Sequence, residues 1–448
     1  MSTPKRAWIF SDIHLGPEGP LAIFRDGKAL GAAFRSIAEG EAAPTELILA
    51  GDVFDFLQSH AYAGFDAAQG PARLDAILSS PQSKAVVAGL TELVERPWCE
   101  VTVLSGNHDP EMLLPAVRER FEIAIGRRGT VHWADDDAPL LRGDERRPAL
   151  TGRALADGAV WVAHGDRWDG ANAIDRPAFA RAVKEGAPVK LPAGSHLVFE
   201  VLAKVTPTRP WVSLLKPEVE AVLPLLLYLD PVTTAGFLRL HYGLSARLVA
   251  SKIASAMNQR PHLGPADGAP AASPDDPLAR AFGALGAALA AEPGRATIAA
   301  ALADYLEDGT APAPGEGTLA SHGGLRRWLA RAWLAHVRSS DEFLTVDGDD
   351  EVIDGARADL PADLPLFIAG HTHGPRRRPD LRYLNSGTWI PVGAIPPGEL
   401  ADLIDVLDAG TPWPSDSPRS CVRVELDGPA PRGVLMCASP DGALRDAD

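Results

Sequence analysis

Cysteine is nearly missing from this chain. Cys99, Cys421 and Cys437 are scattered over 448 positions and form no Cys-x-x-Cys pair. An odd number without close spacing argues against a disulfide framework and against a thiolate-bound metal, and it points to a reducing cytoplasm. Positive charge is also scarce. Lys and Arg number 43 against 59 Asp and Glu, a formal net charge of −16. A nucleic-acid binder displaces counterions with a cationic face, so this balance argues against nucleic acid as a partner. Long apolar runs are lacking too. The longest of note is Ala221 to Leu229, well short of the roughly 20 residues that cross a bilayer. Met1 to Phe10 passes from two basic residues through a short apolar run to Ser11-Asp12, without the features expected of a signal peptide.

What is present is a core-forming composition. Hydrophobic residues are 46% and charged residues 23%, which fits a globular protein of one or two domains. Short apolar runs at Ala7–Phe10, Glu46–Ala50, Glu100–Leu104, Ala159–Ala163 and Leu366–Ala369 read as strands. Arg382–Ile390, Val422–Leu426 and Val434–Ala438 read as closing strands. Helical spacing marks Leu21–Ala38 and Leu74–Val94. This is the alternation of a layered α/β fold.

The stretch from Ile174 to Pro361 reads differently. Apolar residues recur at helical spacing, as at Leu248, Val249, Ile253 and Met257, and at Leu325, Trp328, Leu329 and Trp333. Pro/Gly/Ala-rich links at Arg260–Pro277 and Asp308–Thr318 interrupt it. The expected organisation is a core in two parts, 1–173 and 362–448, with a helical insertion over 174–361.

Five polar motifs follow the five strands. They are Asp12-Ile13-His14, Gly51-Asp52-Val53-Phe54-Asp55, Gly106-Asn107-His108-Asp109, His164-Gly165-Asp166 and Gly370-His371-Thr372-His373. In open α/β folds, ligands gather at the carboxyl ends of strands, so the five can converge. Carboxylate, amide oxygen and imidazole suit hard or borderline divalent cations such as Mn²⁺, Fe²⁺ or Zn²⁺. An Asp can bridge two ions, and His-x-His can give one ligand to each. Two ions a few ångström apart clamp the attacking and leaving oxygens of an in-line displacement and make water acidic enough to react near neutral pH. Each motif alone reads equally as a cap, a turn or a core histidine. The ordered set of five does not.

In this set the chain resembles the calcineurin-like metallophosphoesterases, over roughly Ala7–Asp169 and Leu366–Ile390. The resemblance implies an α/β fold, a four-layer α/β/β/α sandwich with a large helical insertion as a cap. It implies two divalent metal ions, Mn²⁺ first, with Fe²⁺ and Zn²⁺ as substitutes. One ion would take Asp12, His14, Asp52 and His373, the other Asp52, Asn107, His164 and His371, with Asp52 as the bridge. His108 matches the family's catalytic histidine, and Asp109 would orient it through a carboxylate–imidazole hydrogen bond. Asp55 would be a supporting or structural residue.

Gly51-Asp52-Val53-Phe54-Asp55, His164-Gly165-Asp166-Arg167 and Leu384-Asn385-Ser386-Gly387-Thr388-Trp389 are similar to the branch that includes UDP-2,3-diacylglucosamine pyrophosphatase. Two departures stand out: the longer insertion, and His108 where that branch commonly has arginine. Arg181 to Lys252 holds nine Lys/Arg against five Asp/Glu, so this apolar stretch is cationic within an acidic chain. It suits a lipid-like anion or peripheral contact with the inner face of a membrane, although a plain helical subdomain explains it as well. A small phosphorylated or nucleotide-diphosphate substrate is expected, with cyclic nucleotides and other phosphodiesters as the alternative and a non-catalytic scaffold as the remote one. A phosphoprotein phosphatase is disfavoured, because Phe56 and Asp109 stand where those enzymes have Arg and Glu. His60, His132, His196, His241 and His336 lie in no motif and read as surface or core residues. Trp133, Trp161 and Trp389 read as packing residues.

Overall fold

The computed structural model describes residues 4–59, 62–137, 151–216, 218–242, 345–393 and 402–447, with four further positions between 327 and 334. The helical spacings at Leu248–Met257 and Leu325–Trp333, both links, His60 and His336 lie outside the described residues.

The strands are β1 (Arg6–Phe10), β2 (Thr45–Ala50), β3 (Cys99–Leu104), β4 (His132–Trp133), β5 (Arg153–Leu155), β6 (Val160–Val162), β7 (Leu366–Ala369), β8 (Arg376–Arg378), β9 (Tyr383–Asn385), β10 (Ser420–Glu425), β11 (Arg432–Ala438) and β12 (Leu444–Asp446). They form two sheets. A seven-stranded sheet runs β12-β11-β10-β1-β2-β3-β4, and a five-stranded sheet runs β5-β6-β7-β9-β8. Strands β1 to β4 are mutually parallel, as are β6, β7 and β9.

Period-two alternation explains why these sheets stack. Ala7 and Ile9 of β1 share one apolar cluster with Val160 and Val162 of β6 and with Leu366 and Ile368 of β7. The intervening residues point the other way. Trp161, Phe367 and Ala369 pack on Val352, Ile353 and Ala356 of the helix Glu351–Ala356. Phe10 of β1 meets Phe34 of α1 (Gly27–Gly40) edge-on, with ring centroids 5.0 Å apart. The order is thus helix, sheet, sheet, helix. Each large side chain buried between layers contributes about 1.5–3 kcal/mol.

Several expected elements change at their edges. Leu74–Val94 is two helices, Gly70–Ser79 and Pro81–Val94. Ser80 caps the second, its hydroxyl accepting from Ser83 N, and Pro81 opens it, so one helix cannot run through. Arg382–Ile390 keeps strand pairing only in β9, after which the chain turns toward Asp12. Strands β4, β5, β8 and β12 are two or three residues long, too short to show a period.

The chain divides into two compact units: Met1–Ser195, Leu344–Pro391 and Asp416–Asp448 form the first, His196–Phe343 and Val392–Ser415 the second. The first keeps the helix Arg176–Glu185, which the expected boundary at 174 gives to the insertion. The reason is an ion pair: both terminal nitrogens of Arg176 lie 3.0–3.1 Å from Asp166. The described part of the second unit includes Leu197–Leu202, Pro210–Leu214, Glu218–Leu229, Pro231–Tyr242 and Leu403–Ala409, all helical. Trp211 and Trp413 pack within it. Among the described residues, no helix is long and apolar enough to cross a membrane.

Candidate metal centre

Every candidate ligand sits just past the carboxyl end of a parallel strand. Asp12 and His14 follow β1, Asp52 follows β2, Asn107 follows β3, His164 follows β6, and His371 and His373 follow β7. Stacking the sheets brings these ends together. His373 Nε2 lies 3.4 Å from Asp12 Oδ1 and 3.1 Å from His14 Nε2. Asp52 Oδ2 lies 3.3 Å from His164 Nε2 and 3.8 Å from His14 Nε2. Asn107 Oδ1 lies 3.1 Å from both His164 Nε2 and His371 Nδ1. Three overlapping ligand groups result, Asp12-His14-His373, His14-Asp52-His108 and Asp52-His164-His371, and Asp52 faces His14 on one side and His164 on the other.

The local backbone is strained to achieve this. Asp12, His14, Asp52, His371 and His373 all have positive φ, from 51° to 73°. Left-handed backbone costs a non-glycine residue on the order of 1–3 kcal/mol and collects at functional sites. The flanking glycines are needed for space. A Cβ on Gly106 would strike Asp52 Oδ1, and one on Gly51 would meet the His164 ring at 2.5 Å.

The donor set fits cations. Asp12, His14, Asp52, Asn107 and His164 are all at most 2% exposed. Asp12 Oδ1 is buried without a hydrogen-bond donor. Three of the imidazoles have one nitrogen engaged by an oxygen outside the ligand set and the other turned inward. His14 Nδ1 is 3.1 Å from Asp55 Oδ2, His164 Nδ1 is 3.0 Å from the Ala50 carbonyl, and His371 Nε2 is 3.1 Å from Asp169 Oδ2. An N–H donated outward leaves the inward nitrogen with a lone pair, which is how metal-binding histidines are held.

The electrostatics agree. Burial alone would raise the Asp12 carboxyl, yet His373 and His164 hold it down at about 2. Burial would lower His164, but the Asp52 carboxylate beside it pushes it up to about 10. Without metal, these groups neutralise one another with protons, and a cation would displace them.

Residues 5–208 match the profile of the calcineurin-like phosphoesterases. This part of the chain is a calcineurin-like phosphoesterase domain. No curated protein and no solved structure matches the chain. The profile spans β1 to β6; the segment carrying His371 and His373 joins the domain through β7, which pairs with β6.

One expected pairing is corrected. Asp109 does not serve as the carboxylate on His108 Nδ1; that place belongs to Asp55 Oδ2, at 3.0 Å. Asp109 ties its own turn to the loop after β2, accepting the backbone N–H groups of Gly106 on one oxygen and of Val53 and Phe54 on the other. Asp55 accepts from Gln58 as well, and it touches both His14 and His108. His108 is the most open of the group, its side chain 17% exposed, and its N–H donates to Asp52 Oδ1 at 2.8 Å.

Other supports went unread in the sequence. Ser11 and Ser386 hydroxyls meet at 2.7 Å, and Ser11 also bonds the Asp12 carboxylate. Thr388 donates to the Asp12 carbonyl at 2.6 Å. Arg176, buried between Asp166 and the Ser105 carbonyl, ties the loop after β6 to the loop after β3. Only the run Leu384–Trp389 hinted at any of these.

Glu111 extends the same loop. Its carboxyl is buried, with Tyr62 OH at 3.2 Å and Arg73 at 3.4 Å, and burial raises it to about 7. Its folded value lies above its unfolded one. Its contribution is therefore greatest at acid pH and is lost as pH rises through about 7. Glu111→Gln, which keeps the contact with Tyr62, is expected to melt a few degrees above wild type at pH 8 and level with it near pH 5. The rise from 4.5 to about 7 caps the gain at about 3 kcal/mol. Parallel melting curves at the two pH values check this.

Proposed function

We propose that this domain hydrolyses phosphoester or phosphoanhydride bonds of a small phosphorylated or nucleotide-diphosphate substrate, using two divalent cations, Mn²⁺ by preference. Asp12, His14, Asp52 and His373 would hold one, and Asp52, Asn107, His164 and His371 the other. The observation that carries this reading is the outward tethering of His14, His164 and His371, which leaves an inward nitrogen on each. Bound ions would supply Lewis acidity at the phosphoryl oxygens and a supply of acidified water.

The chain's own groups define the rest. His108, partly open and beside His14, would meet the substrate phosphate and pass a proton to the leaving oxygen. Asp55 fixes its ring through Nδ1. Asp12 and Asp52 are buried, so their carboxylates would meet a cation away from bulk water.

Two substrate classes follow from different features. The motif likeness to the UDP-2,3-diacylglucosamine branch and the cationic apolar stretch from Arg181 to Lys252 support a sugar-nucleotide-lipid diphosphate, processed in the cytoplasm at the inner membrane face. His108 supports phosphodiesters, cyclic nucleotides among them. An alkoxide leaving group needs a general acid, whereas a phosphate leaving group departs as a stable anion.

A panel separates them. Purified protein with Mn²⁺ is given bis-p-nitrophenyl phosphate, cyclic nucleotides, UDP-sugars and a diacylated UDP-glucosamine. Hydrolysis of the last compound alone favours the lipid reading, and hydrolysis of cyclic nucleotides favours the other. Bound metal with no turnover on any member would leave a scaffold.

A further inference from the structure

The second unit carries its own cluster of metal-ligating side chains. His196 and Glu200 lie four residues apart, and His241 comes from the helix Pro231–Tyr242. His196 Nδ1 is 2.7 Å from Glu200 Oε1, and His241 Nε2 is 3.4 Å from Glu200 Oε2. The imidazole centroids are 4.2 Å apart. One ligand atom from each residue falls within 4.8 Å of the others. Among the described residues, this is the only such group that shares no residue with the phosphoesterase centre.

We infer that His196, Glu200 and His241 bind one borderline divalent cation, of the Zn²⁺ class. Two imidazoles and a carboxylate are the donor set of open zinc sites, with a fourth position left to water. Zn–N distances of about 2.0–2.1 Å at tetrahedral angles place ligand atoms roughly 3.3 Å apart, close to the spacing of His241 and Glu200. A small rotation of His196 away from its hydrogen bond completes the triangle.

A second observation concerns the backbone. Leu197–Leu202 is a π-helical turn. Such turns are rare, cost hydrogen-bond geometry and concentrate at functional sites. Here the widened turn joins the two residues of the pair, His196 and Glu200. Leu197, Val201 and Leu202 fill the buried side of that turn, so the ligand side is held outward. The three side chains remain 15–33% exposed, which gives an ion and its water access. Phe199 and Phe237 stand against the two imidazoles and limit their ring rotation. The ion would clamp the π-helical turn to the helix Pro231–Tyr242.

In the sequence these histidines fit no motif, because His241 is 45 positions from His196 and the pair His-x-x-x-Glu is common by chance.

The test is metal counting on full-length protein, stripped with chelator, re-equilibrated with Zn²⁺ and analysed by mass spectrometry. His241→Ala and Glu200→Gln are each expected to hold one ion fewer than wild type. Glu200→Gln keeps side-chain volume and guards against misfolding. Asp52→Asn/His164→Ala, crippled at the phosphoesterase centre, should still take up one ion and melt at a higher temperature with Zn²⁺ than without. That arm stands whether or not the dinuclear reading holds. Equal zinc in wild type and both single variants, or no zinc-dependent shift in the double variant, would overturn the assignment.

Discussion

Asp52→Asn is expected to strip one or both ions from the metal centre and reduce turnover by on the order of 10³-fold or more. The substitution preserves shape. Asn Oδ1 can still accept from His108 N–H, as Asp52 Oδ1 does at 2.8 Å, so the loop after β3 keeps its anchor. What is lost is the charge on Oδ2, the oxygen that faces His164 at 3.3 Å and His14 at 3.8 Å. No ligand group holds both of those histidines. An amide nitrogen in that position turns a hydrogen-bond donor toward both sites. The two cations would then repel each other with no shared anion between them. The expected readout is metal content falling from two ions toward one or none at the centre, with an unchanged circular dichroism spectrum. Turnover should fall far more steeply than metal content, because one remaining ion cannot clamp both oxygens. Wild-type metal content and wild-type turnover would remove Asp52 from its bridging place.

The polar motifs were legible because each follows a strand that was legible too. Parallel strands buried on both faces read as continuous apolar runs, and a candidate ligand two or three positions later is visible by its chemistry. Asp12, Asp52, Asn107, His164 and His371 are such cases, and the two sheets bring them to one place. What was not legible is which carboxylate serves which imidazole. The family resemblance paired Asp109 with His108, its neighbour in sequence. The turn geometry decides otherwise, because Asp109 is spent on three backbone N–H groups. Ser386, through Ser11, and Thr388 support Asp12 across more than 370 positions, a relation no local pattern records. The short strands β4, β5, β8 and β12 likewise owe their pairing to neighbours rather than to a period of their own.

The pairing of His108 with Asp55 makes the second large prediction. Asp55 is held well below the ordinary carboxylate range by His108 and His14, against the effect of burial. Asp109 is raised to about 7 by burial and by the nearby Asp52 charge. At neutral pH, therefore, Asp55 is the full anion and the one that can stabilise a charged His108. His108→Ala is expected to keep both metals and lower kcat by about 10²–10⁴-fold on alkyl phosphodiesters. The loss should be smaller with a nitrophenolate leaving group, which needs less proton donation. Asp55→Asn should cost about 10–100-fold in activity. Unlike His108→Ala, it should also weaken metal binding, since the same Oδ2 holds His14 at 3.1 Å. Combining the two substitutions should cost less than the product of their separate effects on kcat, because both act through one imidazole. Asp109→Asn should behave differently, lowering the melting temperature while the leaving-group dependence of kcat stays that of wild type. Should Asp109→Asn instead flatten that dependence and Asp55→Asn leave it untouched, Asp109 would be the residue acting on His108 during turnover.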